Sequence, residues 1–173
     1  MKEIYPSGWK VSLKISDLQI SQLICYATTD DAIKRYTSDS SRFSDMDSFN
    51  KWLSKGRKIY ALSDKIGNLA GIIWFGEKNI PEANLIDDTQ KDDYDTTFAI
   101  RMYGWARGKG LAKSFMEDCF KDFTEKYGNK GIWLEVSCDN KPAIALYEKF
   151  GFSRITNPDS ENKILMILDE TKL

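Results

Sequence analysis

The sequence predicts a mixed α/β (α+β) fold built as a single domain over residues 1–173. Segments with the two-residue period of half-buried strands alternate with segments whose apolar residues recur at helical spacing. The length of 173 residues fits one domain, and no internal repeat marks a boundary. Hydrophobic residues make up 42% of the chain and charged residues 29%, which is an ordinary globular composition.

The first half of the chain predicts strands on either side of a helical region. In chain order the expected elements are a strand over 10–15, one or two helices from 17 to about 36 with a break near 28–31, a helix from 44 or 45, and hairpin strands over 58–63 and 69–75. Ser16 or Asp17 can cap the first helix, and Gly56 can end the last one. That last helix is expected to bury Met46, Phe49, Trp52 and Leu53.

The second half predicts an alternation of strands and helices. The expected elements are a strand over 96–103, a helix over 108–127, a strand over 132–136, a helix over 140–149, and closing strands over 152–155 and 163–168. Pro142 lies in the first turn of the shorter helix and Gly151 lies just after its end, as is usual for these residue types.

The charge and residue content argue against several function classes. A formal net charge of -1 lacks the positive excess of a nucleic-acid-binding domain, and no apolar run is long enough for a membrane span or a signal sequence. The absence of histidine removes the usual base of hydrolytic triads and the commonest metal ligand, so no metal is expected. Cys25, Cys119 and Cys138 lack paired spacing and are expected to be buried free thiols in the cytoplasm.

A glycine-rich run between a strand and a long helix is the first candidate site. It consists of Arg107, Gly108, Lys109, Gly110, Leu111 and Ala112. Exposed N–H groups at a helix start bind phosphates, glycines let the anion approach, and the two cations add charge. A Walker loop is excluded because Gly110 replaces the hydroxyl residue, and a dinucleotide fingerprint fails at Lys113.

Two motifs carry a resemblance to a known family. The run resembles the acetyl-CoA loop [RQ]-x-x-G-x-[GA] of the GNAT superfamily of N-acetyltransferases at Arg107, Gly110 and Ala112. About thirty residues on, the pattern N-x-x-A-x-x-L-Y-x-x-x-G-F matches at Asn140, Ala143, Leu146, Tyr147, Gly151 and Phe152. Two motifs in the right order are far more specific than either one, so the chain is identified as a member of this superfamily, most strongly over 96–152.

The resemblance implies a fold and a cofactor site. It implies a mixed, mostly antiparallel central sheet with helices on both faces, in which the strand before the loop and the strand 132–136 splay apart to hold the pantetheine arm of acetyl-CoA. Backbone groups of Ile100, Arg101 and Met102 would pair with that arm, and the loop 107–112 would hold the pyrophosphate. Asn140 and Tyr147 would contact the cofactor, although Asn140 can also be a plain helix cap.

The expected chemistry needs a base and an acid. A protonated amine must lose a proton before it attacks the thioester, and the departing thiolate leaves more readily when it is protonated. In the family a tyrosine at the position of Tyr147 commonly serves as the acid, and Glu135 is the first choice of base. Tyr147 can instead be a core aromatic residue, and Glu135 a carboxylate paired with a neighbouring lysine or arginine. Other candidates for the base are Glu77, Asp93 and Asp95.

The acceptor and partners are left open. The resemblance implies transfer of acetyl to a primary amine, either on a small molecule or at a peptide N-terminus, and a homodimer by analogy alone. Segment 77–95 carries seven acidic residues against two basic ones, a net of -5 that leaves +4 for the rest of the chain. It can attract cationic acceptors, or it can be a solvated insertion. The rivals are a non-catalytic CoA-binding module for sensing or interaction, and an enzyme with a longer acyl donor or a hydroxyl acceptor.

Overall fold

The structure, a computed structural model, describes residues 8–81 and 94–169. Within these ranges the helices are α1 (Asp17–Thr29), α2 (Asp31–Tyr36), α3 (Asp39–Arg42), α4 (Met46–Leu53), α5 (Leu111–Tyr127) and α6 (Lys141–Phe150). The strands are β1 (Lys10–Ser12), β2 (Lys58–Ser63), β3 (Leu69–Glu77), β4 (Thr96–Met102), β5 (Ile132–Ser137), β6 (Ser153–Arg154) and β7 (Lys163–Leu168). A short 3-10 turn, Gly104–Ala106, follows β4.

The strands form one sheet in the order β1-β2-β3-β4-β5-β7-β6. Strands β1 and β2 pair antiparallel, as do β5 with β7 and β6 with β7. Strands β4 and β5 are parallel, with Thr96 opposite Ile132 and Thr97 opposite Trp133. Both strands continue beyond these paired residues, β4 to Met102 and β5 to Ser137. The mixed, mostly antiparallel sheet with its parallel pair confirms the predicted fold class.

The chain divides into two compact units. The first comprises the described residues of Met1–Trp74 together with Ile100–Met116. In this unit α1 packs on α2, α3 and α4. Helix α1 begins where expected because the Ser16 hydroxyl and the Gln19 side chain form a reciprocal capping box. Its core includes Leu23, Phe43, Phe49, Leu62 and Ile72, each at most 1% exposed.

The second unit comprises the described residues of Phe75–Ala99 and Glu117–Leu173. Its core is aromatic: the ring of Phe75 stacks on Phe123 at 4.1 Å between centroids and meets Phe120 edge-on at 5.1 Å. Phe98 stacks on Phe152 at 5.9 Å, which ties β4 to the chain segment after α6. These rings bury large apolar areas, and their tilted and edge contacts stabilise the packing further.

Several sequence-based boundaries need correction. Strand β1 ends at Ser12 rather than at residue 15, and α3 was not predicted because four residues carry no readable period. Helix α5 begins at Leu111 rather than at Gly108, since Gly108 and Gly110 adopt positive φ angles that a helix excludes. The expectation of buried thiols holds for Cys119 and is wrong for Cys25, which is exposed on α1.

No helix within 8–81 and 94–169 has both the length and the apolar character needed to cross a membrane.

Candidate functional site

The glycine loop has the backbone shape of an anion cradle. Gly108 and Gly110 have φ angles of 75° and 72°, while Lys109 between them keeps a negative φ. Such alternation turns successive N–H groups towards one point, and the loop leads directly into the 17-residue helix α5. No atom lies within 4 Å of a Cβ built at either glycine, so the space beside them is open. Donors of this kind suit the pyrophosphate of a CoA molecule.

Arg107 is held by a carboxylate that the sequence analysis missed. Its Nη2 donates to both carboxylate oxygens of Asp30 at 2.6 Å, and its Nε donates to the Met102 carbonyl at 2.8 Å. Asp30 also accepts from the Gly104 N–H at 2.9 Å. Since the guanidinium charge is offset in this way, Arg107 fixes the shape of the loop entrance more than it adds charge to it.

Asp30 is also the cap of α2. Its Oδ1 accepts from the backbone N–H of Ala32 and of Ile33 at 3.1 and 3.2 Å, and only 7% of its side chain is exposed. Burial alone would raise the pKa of Asp30, but the hydrogen bonds from Arg107 and from these N–H groups outweigh it and lower the pKa. The carboxylate therefore stays ionised and joins the start of α2 to the loop.

Lys109 lies against two indole rings. Its ammonium lies 5.5 Å from the ring centroid of Trp9 and 5.0 Å from that of Trp105, and the two rings stack at 5.5 Å. The Trp105 Nε1–H donates to the Leu69 carbonyl at 3.1 Å, which fixes that ring. Among the described residues no carboxylate pairs with Lys109. Cation–π contacts with the two indole rings hold its ammonium group instead. Trp9 and Trp105 were not singled out from sequence because only the fold brings them together.

The segment Ile100–Met102 forms the C-terminal end of β4, shortly before the glycine loop. Arg101 Nη1 donates to the Ile100 carbonyl at 3.0 Å, and Arg107 Nε donates to the Met102 carbonyl at 2.8 Å. A Cβ at Gly71 would lie 2.6 Å from the Arg101 carbonyl, which shows how closely β3 approaches this segment.

In the second unit, Asn140 and Tyr147 occupy the positions that their motif predicts. Asn140 caps α6, and its Oδ1 accepts from the Ala143 N–H at 3.3 Å, so the helix-cap alternative is realised. Tyr147 is 6% exposed, with its ring 5.8 Å from that of Phe152 and 6.2 Å from that of Phe98. The tyrosine therefore packs as a core aromatic residue, which by itself does not preclude chemistry at its hydroxyl.

Glu135 is exposed on β5 and forms the ion pair that the alternative interpretation expects. Its Oε1 lies 3.1 Å from Lys163 Nζ on β7, and Lys163 also contacts Glu161 at 2.5 Å. The hydrogen bonds from Lys163 to Glu161 and to Glu135 raise the pKa of that lysine. The positive charge of Lys163 is therefore shared between the carboxylates of Glu135 and Glu161.

The other candidate bases differ in their surroundings. Glu77 is exposed at the end of β3. Asp95 accepts from the Thr96 hydroxyl at 2.7 Å and lies 3.4 Å from Lys130 Nζ. Asp93 and the central part of the acidic segment, 82–93, lie outside the described residues.

The mixed sheet with its parallel strand pair and the glycine loop before α5 are the features that the GNAT resemblance predicts. Residues 26–152 match the model of the Acetyltransferase (GNAT) family, and the chain belongs to that family. This confirms the predicted family.

Relatives and solved structures agree with that assignment. The chain is 43% identical over 49 residues to an N-alpha-acetyltransferase of Saccharolobus solfataricus, covering 28% of this chain and 29% of that protein. It is 39% identical over 64 residues to the ribosomal protein bS18-alanine N-acetyltransferase of Escherichia coli K12, covering 37% of this chain and 43% of that protein. The matches thus span less than half of these relatives.

The fold is similar to that of spermidine N-acetyltransferase from Vibrio cholerae in complex with CoA and spermine. The TM-score is 0.72 at 18% identity, over 96% of this chain and 98% of that one. A dodecameric structure of the same enzyme gives a TM-score of 0.65 at 16% identity, over 96% of each chain.

Proposed function

We propose that this chain transfers the acetyl group of acetyl-CoA to a primary amine by direct attack, without a covalent enzyme intermediate. The observation that carries the proposal is the loop with alternating φ signs at Gly108, Lys109 and Gly110, placed directly before α5. The fixed N–H donors of that loop match a pyrophosphate. When bound, acetyl-CoA supplies a thioester whose acyl carbon is the target of the amine.

The protein's own groups would manage the protons. Glu135, through its exposed carboxylate, would accept the proton of the incoming ammonium, directly or through water. Tyr147 would donate the proton of its phenol hydroxyl to the departing thiolate. Family membership and the matched motif support this assignment of roles.

The acceptor is a small-molecule amine or a peptide N-terminus. The curated relatives are named for N-alpha-acetylation and for an alanine of ribosomal protein bS18, whereas the similar structure is named for spermidine. Chemically these acceptors share only the amine. A single N-acetyltransferase domain, a homodimer and a cytoplasmic location stay predictions.

A non-catalytic CoA-binding module is the second candidate. The observations that favour it are the burial of Tyr147 in the aromatic core and the engagement of Glu135 by Lys163, since both side chains already have structural roles.

An acceptor screen with radiolabelled acetyl-CoA distinguishes the two candidates. Purified chain is incubated with amines that differ in charge and size, and label transferred to the acceptor is counted. An enzyme transfers label to at least one amine in proportion to its own concentration. CoA binding in calorimetry without transfer to any amine would instead support the binding module.

A further inference from the structure

The two cations of the glycine loop differ in what surrounds their charge. Arg107 donates to both carboxylate oxygens of Asp30, so its positive charge is offset within the chain. Lys109 is exposed, and no carboxylate within 8–81 and 94–169 pairs with it. Its neighbours are instead the indole rings of Trp9 and Trp105, which we call the indole pair. Of the two loop cations, Lys109 therefore has the charge that a bound anion can use.

An aromatic ring holds a cation without neutralising it. The ring face attracts an ammonium group through its quadrupole and carries no net charge. The Lys109 ammonium lies 5.0 Å from the ring centroid of Trp105 and 5.5 Å from that of Trp9. An ammonium group has three N–H donors, so one that rests beside ring faces can still donate to a phosphate oxygen.

The fold fixes both rings of the indole pair, which lie in the first unit together with the loop. The Trp105 Nε1–H donates to the Leu69 carbonyl at 3.1 Å, and 37% of Trp105 is exposed. Trp9 directly precedes β1, in which Lys10 pairs with Ser63 of β2. The two rings stack at 5.5 Å with an angle of 23° between their planes. The ammonium group is thus held by a platform that belongs to the folded sheet.

The place of Lys109 in the loop connects this platform with the cofactor. Lys109 lies between Gly108 and Gly110, and no atom lies within 4 Å of a Cβ built at either glycine. A phosphate that accepts from the loop N–H groups would therefore meet the side chain of Lys109 in the same loop. A free lysine side chain loses rotamer entropy when it binds a ligand, and a lysine that is already held loses less.

We propose that Trp9 and Trp105 are positioning residues, which hold the Lys109 ammonium beside the loop so that it binds a phosphate of CoA. This inference rests on the proposed acetyl-CoA-dependent function. It assigns a role to two residues that lie outside both motifs, and it makes the indole pair act on the cofactor through Lys109 rather than by direct contact.

The test is a double-mutant cycle read by calorimetry with CoA. Lys109→Gln removes the charge and should raise the Kd for CoA about tenfold. Trp9→Leu removes one ring and should raise it about threefold. In the Lys109→Gln background, Trp9→Leu should change the Kd by less than about twofold, because residues that act through one another are not additive.

Further variants separate positioning from a general loss of structure. Trp9→Phe keeps an aromatic face with a weaker attraction for cations, so its Kd should lie between those of wild type and Trp9→Leu. Trp105→Phe in the same cycle tests the second ring. Lys10→Gln removes an exposed charge next to Trp9 and should leave the Kd unchanged.

Dephospho-CoA, which keeps the pyrophosphate and lacks the ribose phosphate, identifies the phosphate that Lys109 binds. A loss from Lys109→Gln of the same size with both ligands assigns the pyrophosphate. A loss that is confined to CoA assigns the ribose phosphate. Unchanged affinity for both ligands in Lys109→Gln would overturn the inference.

The remaining outcomes separate this inference from the proposed function. Unchanged or tighter CoA binding in Trp9→Leu, or an equal loss from Trp9→Leu in the presence and absence of the Lys109 charge, would overturn the inference alone. The wild-type chain would still bind CoA in those cases. Absence of CoA binding in the wild-type chain would overturn the proposed function as well.

Discussion

Tyr147 is the side chain through which the proposed acid step is most directly tested. Tyr147→Phe removes one hydroxyl and keeps the ring contacts with Phe98 and Phe152. Because general acid catalysis contributes about 10²- to 10⁴-fold, turnover should fall by that order while CoA affinity stays within a few-fold. Steady-state kinetics and calorimetry measure the two quantities. Tyr127→Phe, at an exposed position of α5, is the control, and full activity in Tyr147→Phe would show that the acid assignment is wrong.

Glu135 is tested by the pH dependence of the rate. If its carboxylate accepts the proton, activity falls at low pH as that carboxylate is protonated, and Glu135→Gln should remove or move this limb. Glu161→Gln is the matched control, because Glu161 contacts the same lysine, Lys163, at 2.5 Å. An identical low-pH limb in wild type and Glu135→Gln would exclude Glu135 and direct attention to Glu77 and Asp95.

Residue-level prediction from sequence succeeded where a motif fixed the position. Asn140 at the helix cap and Gly151 in the left-handed conformation after α6 follow from local sequence alone. Asp30 could not be found in this way, because its partner Arg107 lies 77 residues further along the chain. The same holds for Trp9 and Lys109, which only the tertiary fold brings into contact.

Among the secondary-structure elements, α2 is joined to the glycine loop through Asp30, which caps the helix and binds Arg107. Asp30→Asn keeps the size of the side chain and removes its charge, so the bonds to Arg107 and to the α2 N–H groups weaken. We expect a loss of about 1 to 3 kcal/mol in the free energy of unfolding and weaker CoA binding through a looser loop. Chemical denaturation and calorimetry measure the two effects. Asp31→Asn is the control, since Asp31 is 97% exposed and the ion pair it forms within the described part of the chain is with its helix neighbour Lys34.

The same link predicts a pH dependence of stability. The folded state lowers the pKa of Asp30 below its ordinary value of 3.8. The contribution of Asp30 to the free energy of unfolding is therefore complete above that value and is lost as the pH falls through the lowered pKa. Wild type should lose more unfolding free energy than Asp30→Asn over this acid range. Equal acid losses in the two proteins would show that the carboxylate is not stabilised as the geometry indicates.

Elements with a clear period were predicted well. The hairpin strand β2 and the closing strand β7 have the expected bounds. The start of α5 was predicted too early. The spacing of apolar residues predicts a helix, but it does not reveal that Gly108 and Gly110 have left-handed backbone angles. Helix α3 was missed although it carries Asp39, the carboxylate shared by two arginines, because its role appears only in tertiary contacts.

At the scale of the whole molecule, the two motifs identify the family, and the family model covers residues 26–152. Neither motif reports the acceptor, because acceptor recognition depends on side chains that come together from separate elements. In the first unit, for example, Asp39 on α3 forms an ion pair with Arg101 on β4, 62 residues further along the chain. A sequence pattern cannot assign these residues to one surface without the fold.

The central claim is that the chain binds CoA through the loop before α5, and calorimetry tests it most directly. Purified chain titrated with CoA and with acetyl-CoA should release or absorb heat with one molecule bound per chain. Gly110→Ala forces a side chain into a φ of 72° and should weaken binding about tenfold, whereas Gly128→Ala at the other end of α5, with a φ of 80°, should not. Absence of heat with both ligands in the wild-type chain would contradict the account.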